Sequence, residues 1–176
     1  MKKTTWIART GICLALLVCV QLLTRSLGQV VTGSCVNLLL AAASLIGGAW
    51  SGAAVGLLSP LFAKLLGIGP VWPLVPCVAL GNVVYALVIG LLTGRLLQRR
   101  RFPAAFGSVL LAAGLKFVVL WLVLVKLVAP LVISAAEALA KLAVMFGAVQ
   151  LLTAAIGGAV AFAIVPTVQR ALKKEA

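Results

Sequence analysis

The chain has 176 residues, 64% of them hydrophobic and 10% charged, with a mean hydropathy of +1.27. Soluble domains carry roughly 45–50% apolar and about 25% charged residues, so an ordinary soluble globule is excluded and much of the apolar surface must face lipid. Fifteen Lys and Arg against two acids give a net charge of +13. These basic residues punctuate long uncharged stretches, 26–63, 65–94 and 142–169, instead of lining one soluble face, so no nucleic-acid partner is expected.

A hydrocarbon core of about 30 Å needs roughly 20 apolar residues in one helix. Lys2, Lys3 and Arg9 lead into the apolar run 10–23. No small-x-small cleavage site closes that run and Arg25 follows it, so a first helix at 7–23 is expected to stay in the mature protein and not leave as a secretory signal. The stretch 26–63 would be roughly 57 Å long as one helix and must turn. Gly47, Gly48, Ser51 and Gly52 around Trp50 supply the break, which predicts short helices at 36–49 and 52–66, tilted or partly re-entrant.

Three prolines and two glycines between Gly67 and Pro76 stop the third helix, and a fourth is expected over 77–97. Arg99, Arg100 and Arg101 form a charged turn with Pro103. The fifth helix, 104–128, then carries Lys116 at its midpoint and is expected to end before Pro130. The segment 129–144, with Ser134, Glu137 and Lys141, reads as an external loop with room for one amphipathic turn, and the sixth helix spans 145–168. The expected fold is an all-α integral membrane protein, a compact bundle of six transmembrane helices forming a single membrane domain over 1–176.

Cytoplasmic loops carry the excess of Lys and Arg. Ten basic residues fall on the side of the two termini (Lys2, Lys3, Arg9, Arg95, Arg99, Arg100, Arg101, Arg170, Lys173, Lys174) and four on the other (Arg25, Lys64, Lys126, Lys141). Both termini are therefore expected in the cytoplasm. The arginine run at 99–101 also suits anionic lipid headgroups.

Chemistry of the enzymatic kind is poorly supplied. Glu137 and Glu175 are the two carboxylates and histidine is absent, which leaves no acid/base pair and no Ser-His or Cys-His nucleophile. No Walker-type glycine loop followed by Lys-Ser/Thr appears. Cys13, Cys19, Cys35 and Cys77 lack CxxC spacing, so no metal or other cofactor is expected and the thiols read as small packing groups; a Cys35–Cys77 disulfide is the less favoured alternative. The expectation is a protein that is not an enzyme.

Lys116 is the most informative residue. Exposed to lipid it would cost roughly 2.5–3.5 kcal/mol on insertion scales, and it lies too deep to reach an interface easily, so it should face the bundle interior. Two readings stand: a cation that binds a ligand, or a lysine either satisfied by carbonyls and water or held neutral by burial. Asn82 with Tyr85 at i+3, and Gln150 with Thr153 at i+3, lie at comparable depth. Asn37 opens the second predicted helix and Trp72 sits in the proline-rich loop. Together these seven residues suit a pocket with a few convergent polar groups in an apolar wall; the plainer alternative for each amide is an interhelical hydrogen bond. Gly11, Ala15 and Cys19 form a small-xxx-small face on the first helix, for internal packing or for a separate subunit.

This layout resembles the substrate-binding S components of energy-coupling factor (ECF) vitamin transporters. The resemblance covers nearly the whole chain. It rests on six short apolar helices, basic termini, the small-residue face of the first helix, and the stretches Thr32-Gly33-Ser34-Cys35-Val36-Asn37, Trp50-Ser51-Gly52-Ala53-Ala54-Val55-Gly56 and, from Phe146 to Gly158, FGAVQLLTAAIGG. It implies a prokaryotic plasma-membrane protein that captures a vitamin or related micronutrient outside the cell and delivers it inward. The implied partners are a transmembrane coupling subunit and two ABC-type ATPases.

The resemblance also implies that an alanine-rich face of the first helix meets the coupling subunit; Gly11, Ala15 and Cys19 hold those positions, and Ala15 alone matches by residue type. Substrate would be held near the outer surface by Asn82, Tyr85, Lys116, Gln150 and Thr153, and the loaded subunit would topple in the membrane to release it. Two other classes stay open: a stand-alone small secondary carrier or channel, and a non-transporting membrane scaffold. The absence of intramembrane acids counts against ion coupling.

Overall fold

The computed structural model describes residues 3–174, with side chains through residue 171. Lys2 and Glu175 lie outside the described residues, as do the side chains of Lys173 and Lys174. The described chain is helical throughout, without a strand. Helix α1 spans Lys3–Thr24, α2 Gln29–Gly47 and α3 Ala49–Leu65. Helix α4 runs from Val75–Val88 through a π-helical turn, Ile89–Thr93, into Gly94–Gln98. Helix α5 likewise joins Phe102–Val119, π-helical Leu120–Val128 and Ala129–Val132. A short α6, Ala136–Phe146, precedes α7, Ala148–Lys174.

Helices α1, α2, α4, α5 and the α6–α7 unit are long and apolar enough to cross a membrane, and α3 is a shorter apolar helix of 17 residues. This composition is compatible with a multi-pass membrane protein. Helix α2 runs through the middle of the bundle, packed against α1, α3, α4 and α7, while α1 lies at the periphery. The hydroxyls of Thr10 and Ser51 share a hydrogen bond of 2.8 Å, and Gln169 Nε2 donates to the Leu45 carbonyl at 2.6 Å. Both described chain ends therefore sit at the end of the bundle where α2 turns into α3.

That turn takes a single residue. Gly48 adopts φ +90°, a conformation that side chains rarely tolerate, so α3 can start at once after α2 stops. The core around it is rich in small residues, Ala41, Ala43, Ala112, Ala154 and Ala161 among them, interleaved with Leu17, Leu40, Val55 and Ile89. Helices in lipid gain no hydrophobic drive toward one another, so such small residues matter because they let backbones approach and dispersion contacts accumulate. Buried polar bridges add to this: the Thr93 and Ser108 hydroxyls share a hydrogen bond of 2.7 Å, and Tyr85 donates to the Ala154 carbonyl at 3.1 Å. A second cluster, Leu74, Leu120, Leu124, Ala129 and Phe146, closes the opposite end.

Several boundaries differ from the sequence reading. Helix α2 begins at Gln29, not at 36, because Gly28 at φ +88° makes the turn and the Thr32 hydroxyl donates back to the Thr24 carbonyl. Asn37 thus lies two turns inside a helix and does not open one. Pro130 does not end α5: the π-helical run ahead of it has a wider turn that takes up the ring, and helix continues to Val132. The expected loop over 129–144 holds the three-turn α6, and α7 starts at Ala148 and carries Pro166 inside it. All four cysteines are free thiols.

Candidate functional site

Lys116 lies 14 residues from the start of α5 and 16 from its end, and is 2% exposed. Its place inside the bundle follows from the core face of α5, where Ala105, Val109, Ala112 and Ala113 are buried at helical spacing and carry Lys116 round with them. Nζ donates to Asn37 Oδ1 at 2.7 Å and stands 5.5 Å from the centre of the Tyr85 ring. Asn37 is fixed in turn: its Nδ2 donates to the Gly33 carbonyl at 2.8 Å and to Thr153 Oγ1 at 3.3 Å.

This relay needs α2 and α7 in close contact, and Gly157 permits it. A Cβ there would meet the Ser34 carbonyl and come within 2.8 Å of Asn37 Cβ. The glycine in α7 therefore sets the position of an asparagine in α2, which holds a lysine of α5. Three helices converge on one ammonium.

A cavity of about 360 Å³ opens beside it, at the end of the bundle opposite the two described chain ends. Its polar wall is Lys116, Asn37, Asn82, Gln150, Gln21, Gln29 and Thr32. Val36, Pro60, Ala63, Val75 and Val78 form the apolar side, and Leu142, Met145 and Phe146 of α6 cover part of it. The size lies at the lower end of the about 300–1,000 Å³ usual for small-molecule sites, and the mixture of apolar wall with few convergent polar groups is of that kind. Asn82 is 3% and Gln150 7% exposed, yet neither side chain hydrogen-bonds another described residue. Their amide groups face the cavity unpartnered.

Of the seven residues singled out from sequence, Lys116, Asn37, Asn82 and Gln150 line the cavity. Tyr85 and Thr153 stand behind that wall, supporting Lys116 and Asn37. Trp72 is half-exposed at 53% and lies outside the lining, since Pro73 starts the turn into α4 and leaves the indole on the surface. Gln21, Gln29 and Thr32 belong to the wall but were missed; Gln21, a lone amide near the end of an otherwise apolar run, carried the signal, and its Oε1 is buried without a partner.

Gly11, Ala15 and Cys19 are exposed on α1, and a Cβ at Gly11 would meet nothing within 4 Å. The reading of this face as internal packing is therefore corrected: α1 packs on α2 and α3 through Leu17 and Thr10, on its other side. No group of His, Cys, Asp or Glu able to hold a metal occurs among the described residues. No family model, curated protein or solved structure matches the chain.

Proposed function

We propose that this chain is the membrane-embedded substrate-binding subunit, the S component, of an ECF-type importer for a vitamin or related micronutrient. The observation that carries the reading is the cavity at the end opposite the basic chain ends, with a buried lysine and unpartnered amides in an apolar wall. The weaker basic end is the outer one on the charge rule, which makes the cavity an outward-facing receptor. Both termini are then cytoplasmic.

Transport against a gradient needs energy, and the sequence encodes neither a nucleotide-binding loop nor an intramembrane acid for ion coupling. A coupling subunit with two ABC-type ATPases supplies it in this reading. The exposed small-residue face of α1 is where such a subunit docks, since a helix can approach Gly11 and Ala15 closely without displacing any packed side chain. Substrate enters beside α6, ATP hydrolysis reorients the loaded bundle, and the cavity opens inward.

Affinity purification from the native host in mild detergent, with mass spectrometry of the co-purifying proteins, tests this. A coupling subunit and two ATPases are expected with the wild-type chain and are lost from Ala15→Trp. Recovery of the chain alone in both preparations would overturn the proposal in favour of a stand-alone carrier or a scaffold.

A further inference from the structure

The cavity's chemistry bears on what it holds, an inference that rests on the binding reading above. The Lys116 ammonium has three donors. One meets Asn37 Oδ1, a neutral acceptor, and the Tyr85 ring lies on another side. Glu137, the carboxylate among the described residues, is exposed on α6 and does not line the cavity. Holding a charge at Lys116 without a counter-charge is costly, and an anionic ligand is the partner that would make the charged form favourable there.

The charge of that ligand is bounded as well. Arg25, Lys64, Lys126 and Lys141, the other basic residues at this end, are absent from the wall, so the lining carries one formal positive charge. No arginine offers the two-pronged fork that favours phosphate. Beyond the charge, Asn82 and Gln150 each present an amide that both donates and accepts.

We propose that the cavity takes a small organic monocarboxylate, its carboxylate paired with Lys116 and its amide, hydroxyl or carbonyl groups matched by Asn82 and Gln150. The full chain, purified in mild detergent, is tested in two ways. Mass spectrometry identifies any small molecule it retains, and titration of tryptophan fluorescence compares matched pairs of acid and primary amide, nicotinate with nicotinamide and biotin with biotinamide, alongside inorganic phosphate.

The expected results are a retained molecule of net charge −1 and at least one acid binding about tenfold or more tightly than its amide, an advantage lost in Lys116→Met. In Asn82→Leu, which keeps the cation, the acid binds more weakly but its advantage over the amide persists. A retained neutral, cationic or phosphorylated molecule would overturn the proposal, and so would an empty protein for which no acid outbinds its amide. A bound monocarboxylate without co-purifying ATPases would retire the importer reading alone; a neutral cargo with the ATPases present would retire this inference alone.

Discussion

Lys116 joins three helices through one nitrogen, so its replacement separates binding from folding in a measurable way. In Lys116→Met the stem is conserved but Asn37 Oδ1 loses its donor, which should lower stability by about 1–3 kcal/mol as read by detergent thermal melting. Ligand affinity should fall further than stability does. Tyr85→Phe is the complementary variant: it keeps the ring near Nζ and removes only the bond to the Ala154 carbonyl, so stability should drop by about 0.6 kcal/mol with ligand affinity unchanged. A large loss of binding in Tyr85→Phe would place the phenol in contact with ligand.

At this scale the sequence was informative where polarity interrupts an apolar run. Lys116, Asn82 and Gln150 stand out because each interrupts an apolar run, whereas sequence sets Asn37 at a helix start and its depth emerges only in the structure. Sequence could not tell Tyr85 and Thr153, which support the wall, from residues that form it. In a helix apolar on all sides, both the lipid face and the core face satisfy the same pattern, so rotation about the axis is not encoded in periodicity.

Among elements, the contact of α2 with α7 governs the site. Gly157→Val would press against the Ser34 carbonyl and Asn37, and should destabilise the bundle by about 1–3 kcal/mol while also weakening ligand binding through displacement of Asn37. Melting and titration of the same sample test both effects. Helix α1 behaves oppositely: Ala15→Trp lies on an exposed face and should change stability by less than about 0.5 kcal/mol, leaving ligand binding intact while co-purification of the coupling subunit is lost.

Element boundaries were legible where glycines and prolines cluster, at 47–52 and 67–76, and not at the lone Gly28 or Pro130. Gly47 and Gly48 mark the α2–α3 reversal because a left-handed residue between two apolar runs has few other uses. Pro130 misled because its effect depends on the turn geometry around it, and a π-helical run of nine residues is invisible in composition. The three turns of α6 were read as loop because Ser134, Glu137 and Lys141 dilute an apolar pattern whose buried member, Phe146, comes only at the end.

For the molecule as a whole, the direction of the bundle in the membrane ties geometry to function. In the proposed orientation, Arg95 and Arg99–Arg101 face the cytoplasm and the cavity opens outside. In a variant with its four cysteines replaced by serine, a single cysteine at position 71, in the loop before α4, should react with a membrane-impermeant maleimide added to intact cells. One at position 100 should react only after lysis. The reverse pattern would point the cavity inward and remove the receptor reading.

Uptake by reconstituted protein addresses the proposal most directly. Liposomes holding the chain together with its co-purified partners should accumulate the molecule the chain retains, only when ATP is enclosed with the ATPases, and should lose that uptake in Lys116→Met. Uptake by the chain alone, without ATP, would contradict an ATPase-driven binding subunit and identify an independent carrier.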